Sequence, residues 1–191
     1  MPERPAPLLL QRLLSVHRTL EAAGLPHAVG GALALAVHTR DPRFTADIDL
    51  NVTADTAHPE ILFAALPDDL EIHGAARSEV RQVGQTRLWW RDPDTPLDLF
   101  LPVHPTYHEL VVDRAEPARF LSDDILVLTA TDLIVFKALF NRSKDWVDIE
   151  TLIQDGSGDV GEAAAWIDEI TGDHSRGDRL RRIRSDLPGA T

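Results

Sequence analysis

The chain of 191 residues contains no cysteine. That excludes disulfides and thiolate metal sites and suits a reducing compartment, so a cytoplasmic protein is expected. No apolar run approaches the roughly 20 residues a membrane span needs, and no membrane partner is expected. The leucines at 8–10 are cut off by Gln11 and Arg12, which argues against a secretory signal. Internal repeats and low-complexity tracts are also missing. Lysine is nearly so: Lys137 and Lys144 stand against seventeen arginines. Such a skew reflects a coding bias that favours arginine wherever a plain surface cation suffices. The two remaining lysines therefore become candidates for positions that need a compact ammonium group. The net charge of −12 argues against broad non-specific nucleic-acid binding, while leaving room for a local basic groove.

What is present fits a soluble globular chain, with 43% hydrophobic and 26% charged residues, enough for one core and a small appended helical part. The most informative stretch is 26–52, PHAVGGALALAVHTRDPRFTADIDLNV. Within 45–52, Ala46, Ile48, Leu50 and Val52 alternate with Asp47, Asp49 and Asn51, the period of a strand with one buried face. Same-side residues on a strand lie about 7 Å apart, so Asp47 and Asp49 can share cations. Gly30 and Gly31, between an apolar run and a helix-like run, can turn backbone N–H groups toward a phosphate.

Along the chain, helices are predicted at 8–23, 32–38 and 56–66, and strands at 27–29, 45–52, 70–73, 79–83 and 86–91. The last two are read as a hairpin around Gly84 and Gln85. Loops are expected at 40–42 and 92–96. At 97–101, Leu97, Leu99 and Leu101 alternate with Asp98 and Phe100, repeating the acidic-strand pattern and ending near Pro102 and Pro105. If this strand neighbours the first, Asp98 joins Asp47 and Asp49. A short helix near 106–112 and a strand near 125–128 follow. Four helices are then predicted, at 131–141, 143–154, 161–171 and 177–185.

Three aspartates on the polar faces of two apolar strands are unusual, because Asp is depleted in strands. They are the acidic set that two-metal phosphoryl transfer requires. Lys137 is the lone polar residue in LIVFKALF at 133–140; it must reach solvent or meet an anion such as a nucleotide triphosphate. Arg43 and Thr45 can touch phosphate oxygens, or Arg43 can pair with an acid. On the next helix Asp145 falls about 50° from the apolar stripe centre and Asp148 about 110°, which favours Asp145 for a functional role and leaves Asp148 open. Both can also simply stabilise the helix N-terminus. The eight histidines show no H-x₃-H spacing with a nearby acid, so a zinc site is not expected. Trp89 and Trp90 at the expected hairpin read as core plus rim, with a base-stacking platform as the alternative. The arginines at 176, 179, 181, 182 and 184 could be a nucleic-acid contact or a solvated helix face.

The ordered set Gly30–Gly31, Arg43-x-Thr45-x-Asp47-Ile48-Asp49-Leu50, Asp98, Lys137 and Arg142-x-Lys144-Asp145-x-x-Asp148-Ile149 resembles the AbiEii/MenT-type nucleotidyltransferases of the DNA polymerase β-like superfamily. The match runs from about residue 26 to 153. It implies an α/β (α+β) fold with a small mixed sheet flanked by helices: a nucleotidyltransferase core over 1–128 and a helical C-terminal part over 129–191 that completes the nucleotide site. It also implies an NTP substrate such as ATP and two Mg²⁺ ions, with Mn²⁺ as the alternative, held by Asp47, Asp49 and Asp98. Lys137 would bind the triphosphate, and Asp145 or Asp148 would support the nucleotide.

The expected activity is therefore transfer of NMP from an NTP to an acceptor hydroxyl with release of pyrophosphate. Many such relatives are toxins of toxin–antitoxin pairs that extend the tRNA acceptor end, so tRNA and a cognate antitoxin are the expected partners. Transfer to an antibiotic or a protein is the alternative, and an inactive binding module on the same fold is a third reading.

Overall fold

The computed structural model describes residues 7–40, 43–91, 95–104 and 106–187, without the side chains of 108 and 109. The expected loops at 40–42 and 92–96, and Pro105, lie partly or wholly outside these residues. The chain begins with an amphipathic helix α1 (Leu8–Ala22), which buries Leu13, Val16 and Leu20 and turns at Gly24 into β1 (His27–Val29). Helix α2 (Gly31–His38) leads to β2 (Ile48–Val52), α3 (Glu60–Ala64), β3 (Leu70–Glu71), α4 (Ala76–Val83), β4 (Gln85–Trp90) and β5 (Pro96–Phe100). Then come α5 (Tyr107–Asp113), β6 (Glu116–Phe120), β7 (Asp123–Val127) and four helices: α6 (Ala130–Phe140), α7 (Ser143–Gln154), α8 (Val160–Thr171) and α9 (Ser175–Asp186). Among the described residues no helix is long and apolar enough to cross a membrane.

The strands form one mixed sheet in the order β3-β4-β5-β2-β1-β7-β6. Its register decides the chemistry. Parallel pairing of β2 and β5 sets Asp49 beside Asp98, and antiparallel pairing of β4 and β5 sets Arg87 beside Asp98. Because side chains alternate across the pleat, these three share one face, while Ile48, Leu50, Leu97 and Leu99 fill the core on the other.

Several expectations change. Residues 79–83 are the end of helix α4, not a strand: Ala76 and Val80 are buried one turn apart, and Gly84 stops the helix at φ +65°. β4 pairs antiparallel with β3 on one side and β5 on the other. The first acidic strand starts at Ile48, because the Thr45 hydroxyl takes the Asp47 N–H at 3.1 Å and holds 45–47 in a turn. The helix expected at 56–66 is confined to Glu60–Ala64 behind Pro59. Edge strand β6, with Glu116, Pro117 and Arg119, has too little apolar alternation to be seen in the sequence.

A network centred on the buried Asp132 ties α5, α6 and α8 together. Thr129 caps α6 by accepting the Asp132 N–H. The Tyr107 hydroxyl donates to Asp132 at 2.7 Å, and Arg114 bridges Asp132 to Glu162 of α8. With both charge and hydrogen-bonding capacity met, the fully buried Asp132 is tolerated.

Candidate active site

Gly30 closes β1, and its N–H donates to the Asp49 carbonyl at 2.8 Å. Gly31 opens α2 with φ +55°, and a Cβ there would lie 1.8 Å from Asp49 Oδ2. Glycine is required twice, by the left-handed backbone and by the carboxylate pressed against it. The N-terminus of α2, where backbone N–H groups lack helical acceptors, therefore opens beside the acids and suits an anion.

Asp47, Asp49 and Asp98 line this cleft together. Burial, then the charges of Asp98 and Asp47, push the Asp49 carboxyl up to about 6, against the opposing pull of Lys137 and Arg87. Arg87 grips Asp98 with both arms of its guanidinium, at 2.7 and 2.6 Å, and stands 3.8 Å from Asp47. Its own pKa is raised, chiefly by that hydrogen bond. The three acids offer hard oxygen donors in a field strong enough to draw a side-chain cation onto them, a set that fits Mg²⁺ or Mn²⁺. Asn51 continues the row: it is buried in the cleft, and its Oδ1 has no hydrogen-bond partner among the described residues.

Opposite the acids, Lys137 is buried on α6 and donates to Asp148 Oδ2 at 2.6 Å. Arg43 adds hydrogen bonds of 3.1–3.3 Å to the same carboxylate. Burial opposes the Asp148 charge, but the bonds from Arg43 and Lys137 outweigh it and hold the carboxyl below its usual range. Asp145 instead takes the Arg142 N–H at 3.1 Å and its Nε at 2.7 Å, capping α7. It is the capping acid that lines the cleft, whereas Asp148 stands behind Lys137.

Gly31, Arg43, Thr45, Asp47, Asp49, Asp98, Lys137 and Asp145 thus come together around one cleft, with Gly30 immediately behind Gly31. A neighbouring groove of about 450 Å³ shares Asp49, Asp98 and Arg87 and adds Glu79, Thr86, Phe100 and Phe140. Phe100 and Phe140 meet edge to face at 5.5 Å.

No protein-family profile matches the chain, and no curated protein is significantly similar to it. Among solved structures, the lincomycin-bound lincosamide antibiotic adenylyltransferase LnuA superposes with a TM-score of 0.51 at 15% identity, covering 74% of this chain and 94% of that one. An antigenic nucleotidyltransferase-like protein from Paracoccidioides brasiliensis gives a TM-score of 0.50 at 19% identity, covering 91% and 92%. The fold is that of the nucleotidyltransferases.

On this nucleotidyltransferase fold, sequence reasoning missed Arg87, Asn51, Phe100 and Phe140 as cleft or groove residues. Asn51 had a usable signal, since it extends the Asp47–Asp49 alternation by one more step. Arg87 had none, because only the β4–β5 register brings it to Asp98. Trp90 is buried and Trp89 lies at the rim. In α9, Arg176 donates to the carbonyls of Ala138 and Leu139, Arg179 stacks over Trp146 at 3.8 Å, and Arg181 pairs with Asp168 and Asp178. Much of that basic helix is used in holding its own fold together.

Proposed function

We propose that this chain is a Mg²⁺-dependent nucleotidyltransferase that moves NMP from an NTP to an acceptor hydroxyl. The observation that carries the reading is the register pairing of Asp49 with Asp98, which gathers three carboxylates at the glycine turn and faces them with Lys137. Asp47 and Asp49 would hold metal against the triphosphate, and Asp98 would hold it toward the acceptor. Bound metal would supply charge neutralisation and a more acidic acceptor hydroxyl. The N–H groups at the start of α2 receive phosphate oxygens, and Gly31 leaves room for them beside Asp49. Lys137, fixed by Asp148, presents its ammonium to the triphosphate, while Arg43 holds Asp148 from the other side. The acceptor oxygen forms the new bond to the α-phosphorus as the bond to pyrophosphate breaks, and the hydroxyl proton is lost to solvent.

For the acceptor, the resemblance to AbiEii/MenT-type enzymes supports the tRNA 3′ end. The protein is then a toxin that blocks translation and is countered by a cognate antitoxin. A second reading is transfer to a small molecule. It is favoured by the groove beside Asp98, where the carboxylates of Asp49, Glu79 and Asp98 outnumber the guanidiniums of Arg87 and Arg142 and suit a hydroxylated, amine-bearing acceptor better than a phosphate backbone. Incubating the protein with each labelled NTP, with and without Mg²⁺ or Mn²⁺, tests both, using total RNA or an aminoglycoside and lincosamide panel as acceptor. Labelled RNA supports the first and labelled drug the second. Asp49→Ala should abolish transfer while leaving the circular dichroism spectrum unchanged; wild-type activity in that variant would rule out the site.

A further inference from the structure

At the far end of β1 from the glycine turn, a second polar cluster has no part in the reaction above. His17 and Glu21 lie one helical turn apart on α1, and the turn at Gly24 brings His27, the first residue of β1, against them. One ligand atom from each of the three lies within 4.8 Å of the others. His17 Nδ1 is 2.8 Å from His27 Nε2, and His27 Nδ1 is 2.8 Å from the Leu25 carbonyl.

A carbonyl only accepts, so His27 Nδ1 must carry its proton. With the proton on Nδ1, the Nε2 lone pair points at His17 Nδ1. An imidazole fixed through one nitrogen by a backbone carbonyl, with the lone pair of the other turned toward a second candidate ligand, is the arrangement of a metal-ligating histidine. Arg18, the nearest cation on the helix, is turned away to Asp123 at 2.7 Å.

We propose that His17, Glu21 and His27 form a transition-metal site, separate from the carboxylate cleft, that takes Zn²⁺ or a similar borderline divalent ion. Two nitrogens on one tetrahedral Zn²⁺ stand about 3.3 Å apart, given Zn–N bonds of about 2.0–2.1 Å, so the rings need to part by only about 0.5 Å. On binding, the His17 proton moves from Nδ1 to Nε2, and Nδ1 joins His27 Nε2 and a Glu21 oxygen. Water completes the tetrahedron. The N₂O donor set selects against Mg²⁺, which the all-oxygen cleft prefers. The ion would lock α1 to β1, the strand that ends in the glycine turn.

The test uses metal-stripped full-length protein with Mg²⁺ in excess to occupy the cleft, titrated with Zn²⁺ by calorimetry and with Co²⁺ by visible absorption. One equivalent of Zn²⁺ should bind with Kd of about 10 µM or tighter and raise the melting temperature by a few degrees. His17→Gln and the exposed Glu21→Gln should each weaken binding about tenfold or more, whereas Asp49→Asn should leave it intact. If His17→Gln fails to fold, Glu21→Gln decides alone. Absence of Zn²⁺ binding below about 100 µM would overturn the proposal. So would binding that survives both α1 substitutions, or binding that disappears with Asp49→Asn. None of these readouts depends on nucleotidyl transfer.

Discussion

Replacing Asp49 with asparagine should stabilise the metal-free protein while destroying its activity. The Asp49 carboxyl sits at about 6 in the folded state against 3.8 in the unfolded chain, because burial and the charges of Asp98 and Asp47 disfavour its ionised form. Between those values the folded state binds more protons than the unfolded state. Stability therefore falls as pH rises from about 4 to about 6, and the loss is complete above that window. At 1.36 kcal/mol per tenfold change in proton affinity the ceiling is about 3 kcal/mol. Asp49 is only half-buried, so the expected gain for Asp49→Asn at pH 7.5 is about 1–2 kcal/mol, a few degrees in Tm. Urea and thermal melts of both proteins in EDTA, at pH 4 and pH 7.5, measure it. The variant should be more stable at pH 7.5 and equal at pH 4, and Mg²⁺ should narrow the gap by stabilising the wild type alone. Equal stabilities at pH 7.5, or a variant less stable there, would refute the idea that uncompensated carboxylate charge is held in the cleft.

Other perturbations probe the surrounding groups. Gly31→Ala must take φ +55° and displace the Asp49 carboxylate; it should cost about 1–2 kcal/mol in melts and about a hundredfold or more in transfer rate. Lys137→Met leaves Asp148 buried with only Arg43 and should cost about 3–5 kcal/mol. The double variant Lys137→Met/Asp148→Leu should recover most of that stability but no activity, and recovered activity would remove Lys137 from the reaction. Arg87→Ala frees Asp98 from a competing cation, so the Mg²⁺ concentration for half-maximal activity should fall about three- to fivefold, read from Mg²⁺ titrations of the transfer rate.

Much of this cleft is legible in one dimension because strands alternate. The apolar–acid rhythm around Asp49 and Asp98 marks two half-buried strands whatever their partners, and Lys137 stands out against the apolar helix around it. Where the rhythm is short or the element lies at an edge, the sequence misleads. Residues 79–83 read as a strand because five positions cannot separate period two from period 3.6, and β6 has too few buried positions to show any period. Asp145 and Asp148 show the limit of the helical wheel. It places Asp145 nearer the core, yet Asp145 caps α7 with Arg142, while Asp148, at the edge of the stripe, receives Lys137.

Local chemistry therefore determined which residues could do the work: a glycine pair free to turn, carboxylates on the polar faces of strands, and an ammonium unable to remain alone in an apolar helix. Only the tertiary structure decided which of them meet. Register is a property of pairs of strands, so Asp49 beside Asp98 and Arg87 across them come from the β2–β5 and β4–β5 pairings. The same holds for His17 and His27, joined through a turn that no ligand spacing encodes.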